Sequence, residues 1–116
     1  MEKYKWEHLN TLQLGKYAEY YVKMELIRYG LDIYTHEIDD KAIDFIVRVN
    51  ANKYYDVQVK SSRKLHYIYL TKEKVDLRSN LLIAIVLFLE RKSPQFYLIP
   101  SERWKRPDSY FQTENM

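Results

Sequence analysis

Between Ala42 and Ser62 apolar and polar residues alternate with the period of two that marks a β-strand. Ile43, Phe45, Val47 and Val49 fall on one side of the first segment, with Asp44, Ile46 and Arg48 opposite. Val57 and Val59 fall on one side of the second, with Asp56, Gln58 and Lys60 opposite. With Asn50 to Lys53 as the turn, the pattern predicts an antiparallel hairpin. That pairing would bring a carboxylate, an amide and an ammonium, on Asp44, Gln58 and Lys60, towards one another on one face.

An earlier stretch has the helical period instead. Asn10 or Thr11 serves as an N-cap, Gln13 follows Asn10 at capping-box spacing, and Gly30 sits where a left-handed C-cap glycine belongs, so a helix is predicted over residues of about 11 to 29. Gly15, Ala18, Val22, Leu26 and Tyr29 form its inward stripe, and Glu19 lies at the stripe's edge. A glycine inside a helix costs about 1 kcal/mol against alanine, so Gly15 is expected to admit a neighbouring backbone. Glu19 on its own reads as a solvated helix acid partnered by Lys16 or Lys23.

The remaining elements follow in order. Leu31 to His36 alternates as a short strand, Glu37 to Lys41 is a polar connection, and Ser61 to Lys64 turns the chain into a further strand over Leu65 to Leu70. Thr71 caps a short helix through Leu77. The unbroken apolar run Leu81 to Leu89 is the mark of a central strand covered on both faces. Gln95 to Ile99 is the next strand, Ser101 caps a last short helix, and the tail beyond Pro107 is expected to fray. The predicted class is α/β: a mixed β-sheet flanked by helices, in the order α-β-β-β-(β)-α-β-β.

Composition narrows the function. The chain has 116 residues, 47% apolar and 30% charged, which predicts one domain over residues 1–116. The net charge of +3 permits a nucleic-acid partner without requiring one. No cysteine is present, and His8, His36 and His66 have no ligand spacing, which excludes thiolate chemistry and argues against zinc. The start of the chain has no apolar core of signal length, and the run from Leu81 to Leu89 is too short to span a bilayer. A soluble, cytoplasmic protein with no membrane partner is expected.

Three motifs in fixed order, Gly15-x-x-Ala18-Glu19, Ile43-Asp44-Phe45 and Val57-Gln58-Val59-Lys60-Ser61-Ser62, carry a resemblance. The chain resembles the PD-(D/E)XK nuclease superfamily over residues of roughly 12 to 104. It is most similar there to small endonucleases whose second motif reads Q-x-K, as in certain group I intron homing endonucleases, and to archaeal Holliday-junction resolvases, which share the helix motif. Two positions depart from the name-giving pattern: Ile43 stands where it has proline, and Gln58 stands where many members have Asp or Glu.

Phosphodiester hydrolysis needs an activated water and charge stabilisation at phosphorus, which Mg²⁺ held by carboxylates can supply. Asp44 is the evident ligand. The resemblance implies a restriction-endonuclease-like fold, a DNA substrate, and Mg²⁺ with Mn²⁺ as substitute. It further implies that Glu19 reaches the ion directly or through water, that Gln58 and the Val59 carbonyl complete the protein ligands, and that Lys60 orients or activates the water. Ser61, Ser62, Arg63 and Lys64 directly follow that strand, where hydroxyls, amides and cations can hold phosphates. The same residues also have a plainer reading, in which Asp44 and Lys60 are a surface ion pair worth about 0.2–1 kcal/mol and the basic cluster is solvated surface. Three functions therefore stand side by side: a DNA endonuclease, a junction resolvase, and a non-catalytic nucleic-acid-binding module that retains the fold. Cutting both strands with one site per chain predicts a homodimer or higher homo-oligomer.

Overall fold

A computed structural model describes residues 2–35, 43–64, 68–71, 77–105 and 111–114. In chain order its elements are helix α1 (Thr11–Arg28) and strands β1 (Asp32–Tyr34), β2 (Phe45–Asn50), β3 (Lys53–Ser62), β4 (Ile68–Thr71), β5 (Leu81–Leu87) and β6 (Gln95–Pro100). A 3₁₀ helix (Ser101–Lys105) and strand β7 (Phe111–Glu114) follow. The class is mixed α/β. Five strands form one sheet in the order β1-β2-β3-β5-β6, antiparallel except for β3 and β5, which run parallel, while β4 and β7 pair in a separate two-stranded sheet.

Both ends of α1 are fixed locally. Asn10 Oδ1 accepts from the Gln13 amide at 2.8 Å and Gln13 Oε1 accepts from the Asn10 amide at 2.9 Å, so two of the helix's unpaired N–H groups are satisfied reciprocally. At the other end Gly30 adopts φ +82°, its N–H donates to the Ile27 carbonyl at 2.8 Å, and Leu31 N–H reaches back to Leu26 at 3.3 Å. These two hydrogen bonds to the last turn stop the helix, and only glycine adopts that φ without strain.

The buried stripe of α1 is Leu14, Ala18, Val22 and Leu26. It is rotated from the expected one, for Gly15 is only half-buried and Tyr29 is 80% exposed. The stripe packs with Trp6, Phe45, Val47, Val57, Ala84, Val86 and Phe88 on one face of the sheet. The opposite face buries Leu81, Ile83, Ile85 and Leu87 with Trp104 of the 3₁₀ helix. β5 is thus covered on both sides, as its unbroken apolar run predicts, and each fully buried Leu or Ile contributes about 1.5–3 kcal/mol.

Several local expectations are corrected. Ser61 and Ser62 do not turn the chain but continue β3, because the sheet keeps pairing there: Phe88 N–H donates to the Ser62 carbonyl at 2.8 Å. Ser101 caps no helix. Its buried hydroxyl accepts from the Arg78 amide at 3.0 Å and donates to the Arg78 carbonyl at 2.8 Å, tying the entry of β5 to the 3₁₀ helix. The tail expected to fray contains β7, and Thr71 closes β4. The connection over 37–41 and most of the helix expected over 71–77 fall outside the described residues. Among the described residues no helix is long and apolar enough to cross a membrane.

Candidate active site

The site begins with a strand that outruns its neighbour. β2 pairs with β3 only as far as Val57, whereas β3 continues to Ser62 with β5 as its partner among the described residues. Backbone groups along a strand point alternately to its two sides. Asp56 N–H donates towards β5, to Asn80 at 2.8 Å, while the Val57 carbonyl accepts from Asp44 on the other side at 2.9 Å. Val59 therefore aims both its N–H and its C=O at the edge that β2 has left open. Asp44 Oδ2 accepts from that N–H at 2.6 Å, so a carboxylate stands where the next strand residue would have been. The Val59 carbonyl lies on the same edge.

The entry of β2 also decides which way Asp44 faces. Asp44 donates to the carbonyl of Val57 while Phe45 is the residue paired with Val57, so two residues of one strand oppose one of the other. That is the arrangement of a β-bulge, and it re-aims a side chain. Asp44 consequently lines one cleft with Glu19, Gly15 and Lys16 of α1 and with Val59; the cleft has a volume of about 510 Å³. Glu19, its side chain 20% exposed, is held by Lys23 at 3.2 Å and Lys16 at 3.6 Å. The plainer sequence reading of Glu19 is correct as to its partners, and both lysines stand at once.

Gln58 and Lys60 belong to the sheet's other face. They pair in register with Ile83 and Ile85, which pack against Trp104, whereas Val57 and Val59 pack on the α1 side. The hairpin pattern placed Asp44, Gln58 and Lys60 on one face; the bulge instead turns Asp44 towards the helix, and the open edge of β3 at Val59 divides the two groups. Gln58 is 8% exposed, and its Oε1 has no hydrogen-bond partner among the described residues. An orphaned buried carbonyl oxygen is rare in a native fold and marks a place where an ion or water completes the structure.

The donors fit a hard cation. Two carboxylates and a peptide carbonyl are ligands Mg²⁺ takes when it keeps several waters and shares substrate phosphates, and Asp44, Glu19 and Val59 line the cleft together, whereas the buried Gln58 Oε1 lies on the sheet's other face. Among the described residues no three of His, Cys, Asp and Glu are grouped as a metal site.

The basic segment after β3 behaves otherwise than expected. Arg63 Nη1 donates to the Trp6 carbonyl at 2.7 Å and Nη2 donates to the Leu9 carbonyl, so its guanidinium anchors the N-terminal segment. The anchored Trp6 ring is buried, with its amide on Glu90 at 2.9 Å and Nε1 on the Lys92 carbonyl at 3.0 Å. Ser62 Oγ donates to the Lys64 carbonyl at 2.8 Å, Ser61 is half-buried in β3, and Lys64 is exposed. Of the four residues expected to hold phosphates, Lys64 alone is exposed. Asp56 is occupied by an ion pair with Arg78. Arg63→Ala should lower stability by about 1.5–3 kcal/mol, since bonds from a charged donor are lost. Amide exchange should rise from Trp6 to Leu9. A variant with wild-type stability that has lost DNA affinity would restore Arg63 to phosphate binding.

Thr11 and Lys16 line the cleft as well and were not singled out as site residues by the sequence. A signal existed: Thr11, Gly15 and Glu19 recur at i, i+4 and i+8, which is one face of a helix. No protein-family model matches the chain, and no curated protein or solved structure matches it.

Proposed function

We propose that this protein is a Mg²⁺-dependent endonuclease that hydrolyses DNA phosphodiester bonds on a restriction-endonuclease-like core of order α-β-β-β-(β)-α-β-β. The observation that carries the reading is the open edge of β3, where the Asp44 carboxylate holds the Val59 amide in a cleft shared with Glu19. The orphaned Gln58 Oε1 lies one residue before Val59. Asp44, Glu19 and the Val59 carbonyl are the groups that would hold the ion in the cleft, with Gln58 able to join them only around the edge of β3, and the ion when bound would supply an acidified water and charge stabilisation at phosphorus. Lys60, two residues beyond Gln58, offers an ammonium to the attacking water and the phosphate oxygens. Its role is to orient one and offset the charge of the other. Two copies about a twofold axis would let such a site cut both strands.

A second reading, a DNA-binding module without catalysis, is favoured by one observation. Glu19 is already neutralised by two lysines, and Gln58 brings an oxygen but no charge. Nicking of supercoiled plasmid separates the two. Wild type is expected to nick in Mg²⁺ or Mn²⁺ and not in EDTA, and Lys60→Ala to nick on the order of 10²–10⁴-fold more slowly, the usual contribution of a positioned proton-transfer group. Equal nicking by both proteins would identify a contaminant and remove the enzyme reading. Binding of duplex DNA without nicking would select the module.

A further inference from the structure

Among the described residues nothing in the fold requires the glycine in α1. Within a helix interior it costs about fivefold in the folded-to-unfolded ratio against alanine. A close approach by another backbone would explain it, but a Cβ built on Gly15 meets no atom of the described residues within 4 Å. A positive φ would explain it too, and Gly30 has one where Gly15 does not. What Gly15 does face is the cleft: it lies one turn before Glu19 on the same side of α1 and lines that cleft with Asp44 and Val59. Its missing side chain leaves space there and nowhere else.

The cations beside the cleft are unequal. Lys23 is the nearer to Glu19, at 3.2 Å, and its side chain is only 18% exposed, with its ammonium 5.5 Å from the centre of the Phe45 ring. Lys16 is 3.6 Å from Glu19 and 58% exposed. An exposed helix pair of that kind is weak, so Lys16 can leave Glu19 at little cost while Lys23 stays. Lys16 also lines the cleft.

We propose, resting on the nuclease reading above, that this cleft seats a backbone phosphate of duplex DNA, that position 15 is glycine because the phosphate occupies the space of its side chain, and that Lys16 turns from Glu19 to neutralise the phosphate. A substrate phosphate is thereby held between α1 and the open edge of β3. Glu19 is released from one of its two cations as the DNA arrives.

The test measures binding without cleavage, using a fluorescent 20-base-pair duplex in EDTA, beside thermal melting of each variant. Gly15→Ala and Gly15→Met should both melt higher than wild type, by ~4 °C or more, yet bind the duplex at least tenfold more weakly. Lys16→Ala should melt as wild type and reduce the magnitude of the log–log salt slope by about 1, the loss of one phosphate contact. The seat is overturned if Gly15→Met binds and nicks as wild type, if the salt slope of Lys16→Ala is unchanged, or if wild type does not bind the duplex. Nuclease activity fails separately: a wild type that binds but never nicks, with Gly15→Met losing the binding, leaves the phosphate seat standing and removes the catalysis.

Discussion

Asp44→Asn is expected to abolish Mn²⁺ binding in a calorimetric titration and to slow plasmid nicking by on the order of 10³-fold, while melting close to wild type. The separation follows from what the side chain does. Asp44 Oδ2 accepts from the Val59 amide at 2.6 Å, and an asparagine oxygen can accept the same bond, so the edge of β3 stays capped. The variant removes one of the two acids that line the cleft, and single electrostatic groups aimed at developing charge are commonly worth about 10²–10³-fold. Asp44→Ala should behave differently. It leaves a part-buried amide without its partner, which costs about 1–3 kcal/mol, so stability and activity fall together. If Asp44→Asn nicks as well as wild type, the catalytic site is elsewhere.

How much of this was readable in the chain depended on the range of each interaction. The ends of α1 were legible because Asn10, Gln13 and Gly30 act within a few residues of themselves. The hairpin of β2 and β3 and the buried β5 were legible from period and length. The face of Asp44 was not. Alternation placed Phe45 and Val47 correctly, but a one-residue irregularity changes the face of the residue at it, and the irregularity at Asp44 and Phe45 leaves no mark in composition. Arg63 was misassigned for a different reason. Its role depends on carbonyls of Trp6 and Leu9, more than fifty positions earlier, and no local pattern links them. The extent of the α1 stripe failed at Tyr29, which is the C-cap, where the helix ends and helical spacing no longer fixes burial.

The charge of the cleft connects these points. Asp44 and Glu19 bring two negative charges, and Lys16 and Lys23 bring two positive ones to Glu19, so the resting cleft has little net field to draw in a cation. A divalent ion then gains most once substrate phosphate oxygens join the protein's oxygens, which is the usual manner of Mg²⁺. Activity should accordingly need Mg²⁺ at millimolar levels or be higher with Mn²⁺.

Gln58 distinguishes a working site from a relic most sharply, because function and stability should move in opposite directions when it is changed. Its side chain is buried at a register position beside Ile83 and its Oε1 has no partner among the described residues, and a carbonyl left unsatisfied in such a place costs about 1–3 kcal/mol. Gln58→Leu keeps the approximate volume and removes the orphaned oxygen. It is expected to stabilise the protein by about 1 kcal/mol in urea denaturation and to slow nicking by on the order of 10²-fold, because a ligand oxygen is gone. Gln58→Glu supplies an oxygen with a charge, so Mn²⁺ affinity should be kept or strengthened. A residue retained against stability is the pattern of a functional group, since sites that act on ligands hold conformations and polar atoms that the apo fold alone would discard. If Gln58→Leu unfolds at lower urea than wild type, the amide serves the fold and Gln58 is no ligand.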